Sequence, residues 1–127
     1  MDAVLNVLVV DDELSVRESL IGFLADTGMA VDGAENGEQA LQLSGNRRFD
    51  VAVVDMRLPD IGGERLVMEL IRRQPTLRFL IHTGMAGYQP SPELSECGVT
   101  SDHVYCKPLA DLECLVDGIL ALRGRRT

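Results

Sequence analysis

Residues 5–13 read Leu-Asn-Val-Leu-Val-Val-Asp-Asp-Glu, a short apolar run rich in valine that stops abruptly at three acids. A run this short has the pattern of a strand covered on both faces, because a buried helix would need roughly ten or more residues. From Glu13 the period changes: Val16, Leu20, Phe23 and Leu24 recur at helical spacing, and Gly28 offers the left-handed residue that stops a helix. The first unit is therefore a strand leading into a helix, with Asp11 and Asp12 at the junction.

Working outward, the alternation repeats. Ala30-Val31 reads as a weak short strand, and Asn36 caps a helix carrying Ala40, Leu41 and Leu43 that Gly45-Asn46 ends. Val51 to Val54 is the second clear buried strand, and it too ends in an aspartate, Asp55. After the loop Arg57 to Gly63, a helix with Leu66, Val67, Leu70 and Ile71 inward is closed by Gln74-Pro75, where proline bars continuation. Leu77 to His82 gives the next strand. Ser91-Pro92 has the form of an N-cap with proline at the first helical position, opening a short helix that Gly98 ends. His103 to Cys106 makes a last strand, and Asp111 to Arg123 a last amphipathic helix with Leu112, Leu115, Val116, Ile119 and Leu120 inward. Five strands alternating with five helices imply right-handed βαβ units and a doubly wound α/β fold: a five-stranded parallel sheet between two helical layers.

A chain of 127 residues with 46% hydrophobic content suits one domain, spanning residues 1–127. The net charge of -8 argues against direct nucleic acid binding. A small basic cluster, Arg123, Arg125 and Arg126, reads as a solvated helix end. Cys97, Cys106 and Cys114 are odd in number and lack metal-ligand spacing, so the expectation is reduced packing cysteines in a cytoplasmic protein. No apolar run approaches the roughly 18 residues of a membrane span, and no basic leader opens the chain.

In an open parallel sheet, ligands bind beyond the carboxyl ends of the strands where strand order reverses. Asp11-Asp12, Asp55, Thr83 and Lys107-Pro108 all fall at such ends. Carboxylates gathered within a few ångströms repel one another and call for a cation. With oxygen ligands and no nearby His or Cys ligand, that cation is expected to be Mg²⁺, with Mn²⁺ possible, and Lys107 adds a fixed positive charge. A carboxylate held in line with a phosphoryl group can then attack phosphorus, which makes Asp55 the candidate nucleophile. The Thr83 hydroxyl would donate to a phosphoryl oxygen and draw in the loop behind it.

Taken together, VLVVDDE at Val7 to Glu13, DMRLPDIGG from Asp55 to Gly63, Thr83-Gly84 and Lys107-Pro108 resemble the receiver domain of bacterial two-component response regulators, over essentially the whole chain. The resemblance implies a flavodoxin-like (β/α)5 fold and a phosphorylation-dependent signalling switch. It further implies that Asp12 binds Mg²⁺ directly, Asp11 largely through water, and that Asp55 ligates the ion and accepts phosphate. The backbone carbonyl of Arg57 completes the protein ligands, Thr83 and Lys107 contact phosphoryl oxygens, and a cis peptide before Pro108 aims Lys107 inward. The phosphodonor would be a phosphohistidine of a sensor histidine kinase or phosphotransfer protein. The chain itself would catalyse transfer and later hydrolysis, controlling a downstream effector or an attached output domain. Arg57 stands where such domains tune phosphate lifetime.

One departure is plain in the sequence. Receivers usually carry an aromatic residue three places before the lysine, and here that place holds Val104, with Tyr105 next. Because strand side chains alternate, Tyr105 is expected on the face opposite the usual switch position, unless a bulge restores it. His82 and His103 read as satisfied structural residues, and Met29, Met56, Met68 and Met85 as packing residues, Met85 bordering the site. Three other functions were open to this pattern: a binding module without phosphorylation, a phosphoaspartyl hydrolase, and a flavodoxin-like cofactor carrier. Intact Asp12, Asp55, Thr83 and Lys107 oppose the first, Arg57 in place of a second aspartate the next, and the lack of a Ser/Thr/Gly-rich phosphate loop the last.

Overall fold

The structure, a computed structural model, describes residues 4–109 and 111–124. The cluster Arg123, Arg125 and Arg126 lies outside the described side chains. In chain order the elements are β1 (Asn6–Val10), α1 (Leu14–Asp26), β2 (Ala30–Ala34), α2 (Gly37–Asn46), β3 (Val51–Val54), α3 (Gly63–Arg73), β4 (Arg78–Thr83), α4 (Pro92–Glu96), β5 (Val104–Cys106) and α5 (Glu113–Gly124). All strand pairs are parallel, in the order β2-β1-β3-β4-β5.

Alternation along each strand builds two cores, one on either side of the sheet. Leu8, Val10, Ala52, Val54, Phe79 and Ile81 pack with Ala40 of α2, Leu66, Val67 and Leu70 of α3 and Leu94 of α4. Val7, Val9, Val51, Val53 and Leu80 pack on the other face with Leu20 and Leu24 of α1 and Leu115, Val116 and Ile119 of α5. This is the doubly wound, three-layer α/β arrangement expected.

Local signals act where they were read. The Asn36 side chain accepts from Gln39 N–H (2.8 Å) and Ser91 Oγ from Leu94 N–H (3.2 Å), each capping its helix. Gly28 and Gly98 close α1 and α4 with φ of 94° and 97°.

The differences have physical causes. β2 runs through Asp32-Gly33 to Ala34 because register with β1, from Asn6↔Ala30 to Val10↔Ala34, holds an edge strand whose own side chains are half-buried. His103 lies outside β5, in a 3₁₀ turn (Ser101–His103), because its Nδ1 accepts from Thr100 N–H (3.0 Å). α5 begins at Glu113, whose N–H donates to Asp111 Oδ1 (2.9 Å). Leu120 faces outward on α5 and Leu122 is buried in its place, so the apolar stripe is rotated from the expected one. The cysteines are free, but Cys97 and Cys106 are exposed and Cys114 half-buried, which corrects the expectation that they pack in the core. His82 is buried with neither ring nitrogen paired, so among the described residues it is not the satisfied histidine expected.

Candidate functional site

The order β2-β1-β3 means that strand order reverses between β1 and β3, and Asp11 and Asp55 leave those two neighbouring strands. Both are anchored by the ladder: Asp11 N–H donates to Ala34 O and Asp55 N–H to Val10 O, each at 3.0 Å. Both carboxylates are buried while Asp12 is exposed, and one carboxylate oxygen from each of the three lies within 4.8 Å of the others. Such a set of hard oxygen donors, buried at its base and open at one corner, fits a divalent cation such as magnesium that keeps some of its water.

Lys107 reaches the same point from the end of β5. Its Nζ lies 2.9 Å from Asp11 Oδ2, 2.9 Å from Asp55 Oδ2 and 3.0 Å from Glu13 Oε1, with 12% of the side chain exposed. Burial alone would push the ammonium down, but the bonds to Asp11, Asp55 and Glu13 outweigh it and hold the group above the ordinary lysine range. Lys107 therefore stays charged among the carboxylates. The Lys107–Pro108 peptide is cis, as the resemblance implied. Glu13 in this ion pair was not singled out from the sequence; its place directly after Asp11-Asp12 was the only signal.

The remaining residues frame the acid cluster. Arg57 N–H donates to Asp55 Oδ1 (3.2 Å), and the Arg57 side chain is exposed. Gly63 starts α3 hard against this loop: a Cβ there would stand 2.5 Å from Met56 Cα and 2.8 Å from the Asp55 carbonyl oxygen. Thr83 is fully buried, its Oγ1 accepts from Met85 N–H (3.3 Å), and its carbonyl accepts from Lys107 N–H (2.9 Å). All the candidate residues, Asp11, Asp12, Asp55, Arg57, Thr83 and Lys107, thus meet at one edge of the sheet.

The aromatic departure is visible as well. Val104 packs on the Ile81 side, whereas Tyr105 packs on the α1/α5 side, its hydroxyl against Gly118 of α5. Tyr105 is therefore across the sheet from the core that Thr83 adjoins.

The family model for the response regulator receiver domain matches residues 7–111. The chain belongs to this receiver family. A response regulator receiver protein of Anaeromyxobacter is 43% identical over 60% of this receiver and 32% of its own length. The response regulator MprA of Mycobacterium is 34% identical over 94% of this chain and 51% of its own. Among solved structures, the response regulator TrrA of Thermotoga maritima, in complex with Mg²⁺-BeF, is 27% identical with a TM-score of 0.78, covering 93% of this chain and 98% of that one. A Burkholderia pseudomallei response regulator with a phosphorylated aspartic acid and a calcium ion is 28% identical with a TM-score of 0.78, covering 97% and 73%. This receiver thus spans about a third to a half of the length of these curated relatives. Among its described residues, no helix is long and apolar enough to cross a membrane.

Proposed function

We propose that this receiver is a phosphorylation switch in which Asp55 accepts a phosphoryl group from the phosphohistidine of a sensor kinase or phosphotransfer protein. The observation that carries the reading is the Lys107 ammonium shared by Asp11 and Asp55 beside a three-carboxylate cluster. Asp11, Asp12, Asp55 and the Arg57 carbonyl would hold magnesium. When bound, that ion neutralises the carboxylates and the charge that develops on the transferring group.

The chain's own residues do the rest. A carboxylate oxygen of Asp55 attacks phosphorus as the bond to the donor's imidazole nitrogen breaks; the imidazole leaves and takes up a proton, and an acyl phosphate remains. Lys107 holds one phosphoryl oxygen by its ammonium, and the Thr83 hydroxyl donates to another. Attack by water later releases inorganic phosphate and restores the carboxylate. The signal then passes to an effector protein, or to an output domain attached in a longer chain. A net charge of -8 supports a protein partner over nucleic acid, and the same reading places the protein in the cytoplasm.

Incubation with acetyl phosphate and magnesium, followed by intact-mass measurement, tests this. One phosphoryl group should appear on the wild type, none on Asp55→Asn, and none when the metal is chelated. Equal labelling of Asp55→Asn would refute it.

A further inference from the structure

Between β4 and α4, a chain of hydrogen bonds leads away from Thr83. Met85 N–H donates to Thr83 Oγ1 (3.3 Å), Tyr88 N–H donates to Met85 O (3.3 Å), and the Tyr88 hydroxyl donates to Glu64 Oε2 (2.6 Å). The same Glu64 oxygen accepts from the N–H of Ser91, the residue that caps α4 (3.2 Å). Glu64 stands in the first turn of α3, immediately after the loop that leaves Asp55. The contact therefore ties the segment behind Thr83 to the segment behind Asp55. Tyr88 is half-buried against the core shared with Met85.

We propose that Tyr88 is the aromatic switch of this receiver, latched to Glu64 in the resting state and released when the site is phosphorylated. The inference rests on the reading of the site given above. Val104 has no polar atom with which to follow Thr83, and Tyr105 lies on the other side of the sheet, so neither residue can report on that hydroxyl. Tyr88 can, because one turn connects it to Thr83. Drawing the Thr83 hydroxyl toward a phosphoryl oxygen strains its long bond from Met85 and shifts the turn 85–88. Tyr88 then leaves Glu64, and of the two bonds from this segment to that carboxylate only the one from Ser91 N–H remains. Burial and the Glu64 bond both push the Tyr88 phenol above its ordinary range, in keeping with a hydroxyl held by a carboxylate. Glu64 responds in the opposite sense: burial would raise it, but the bonds from Tyr88 and Ser91 keep it below the usual carboxylate range.

The chain holds two tyrosines and no tryptophan, so the test is direct. Protein labelled with ¹³C at tyrosine Cζ gives two resonances, assigned with Tyr105→Phe. The Glu64→Ala variant, free of ligand and without an acceptor at that position, marks the position of unlatched Tyr88. Magnesium and beryllium fluoride are then added to the wild type, with ¹⁹F spectra reporting bound fluoride. The Tyr88 resonance should move toward its Glu64→Ala position in proportion to bound fluoride while Tyr105 stays in place. A bound ¹⁹F signal with Tyr88 unmoved, or with Tyr105 moving in its stead, overturns the switch and leaves the site reading standing. No bound ¹⁹F signal at all overturns both.

Discussion

Replacing His82 with leucine should stabilise this protein, more so in acid. The His82 side chain is buried, neither ring nitrogen has a hydrogen-bond partner among the described residues, and burial pushes its pKa below the ordinary 6.5, with the nearby Lys107 charge adding to the effect. An unpaired buried polar group costs about 1–3 kcal/mol. Leucine is close in volume, and the recess of about 320 Å³ beside the ring, lined by Val16, Leu20, Leu109 and Leu112, has room for the difference. The expected gain is about 1–2 kcal/mol near pH 8, or about 4–8 °C in Tm for a domain of this size. Above the unfolded value both states of the wild type carry neutral imidazole. As pH falls through about 6.5, the unfolded histidine takes up a proton that the folded one refuses, so wild-type stability declines by at most about 1.4 kcal/mol per pH unit. His82→Leu lacks that loss, and the gap between the two proteins widens down to the depressed folded pKa. Urea unfolding at pH 8, 7, 6 and 5.5 measures it. A variant no more stable than wild type, or a gap that is constant with pH, would refute the reasoning.

Other outcomes follow from the site. Lys107→Met removes the ammonium from Asp11 and Asp55, so without magnesium its Tm should fall, and added magnesium should close the difference; calorimetry should also show tighter magnesium binding than in the wild type, with weaker or equal binding counting against the ion cluster. Gly63→Ala forces a Cβ into the Met56 backbone and should cost about 1–3 kcal/mol by urea unfolding; a neutral result would mean that the loop yields freely. Arg57→Ala removes an exposed side chain but keeps the carbonyl, so magnesium affinity should hold while the decay rate of the phosphoprotein changes. Identical decay rates in the two phosphoproteins would refute that role for Arg57.

Much of the fold was legible because its signals are local. Val51 to Val54 could be nothing but a buried strand, and Asn36, Ser91-Pro92 and Gly98 mark helix ends with their own side chains or backbone. The site was legible because strand ends in a parallel sheet share one edge, whatever the intervening helices do. What escaped was set by distant partners. β2 continues through Asp32-Gly33 only because β1 lies beside it, and α5 turns Leu120 outward only because the sheet selects Leu122. Glu13 meets Lys107 across 94 positions, and Tyr88 meets Glu64 across 24; neither spacing leaves a periodic trace. The exposure of Cys97 and Cys106 is likewise a property of the surface and not of their apolar neighbours in sequence.

The acids leave β1 and β3, and the ammonium leaves β5, the last strand of the sheet in chain order. On the proposed function, a polypeptide in which β5 has not yet paired with β4 lacks the ammonium that the two acids share, and so lacks a complete acceptor site. On that reading the winding of the sheet would itself act as a proofreading step, since the charge that balances the acids arrives only with the last strand.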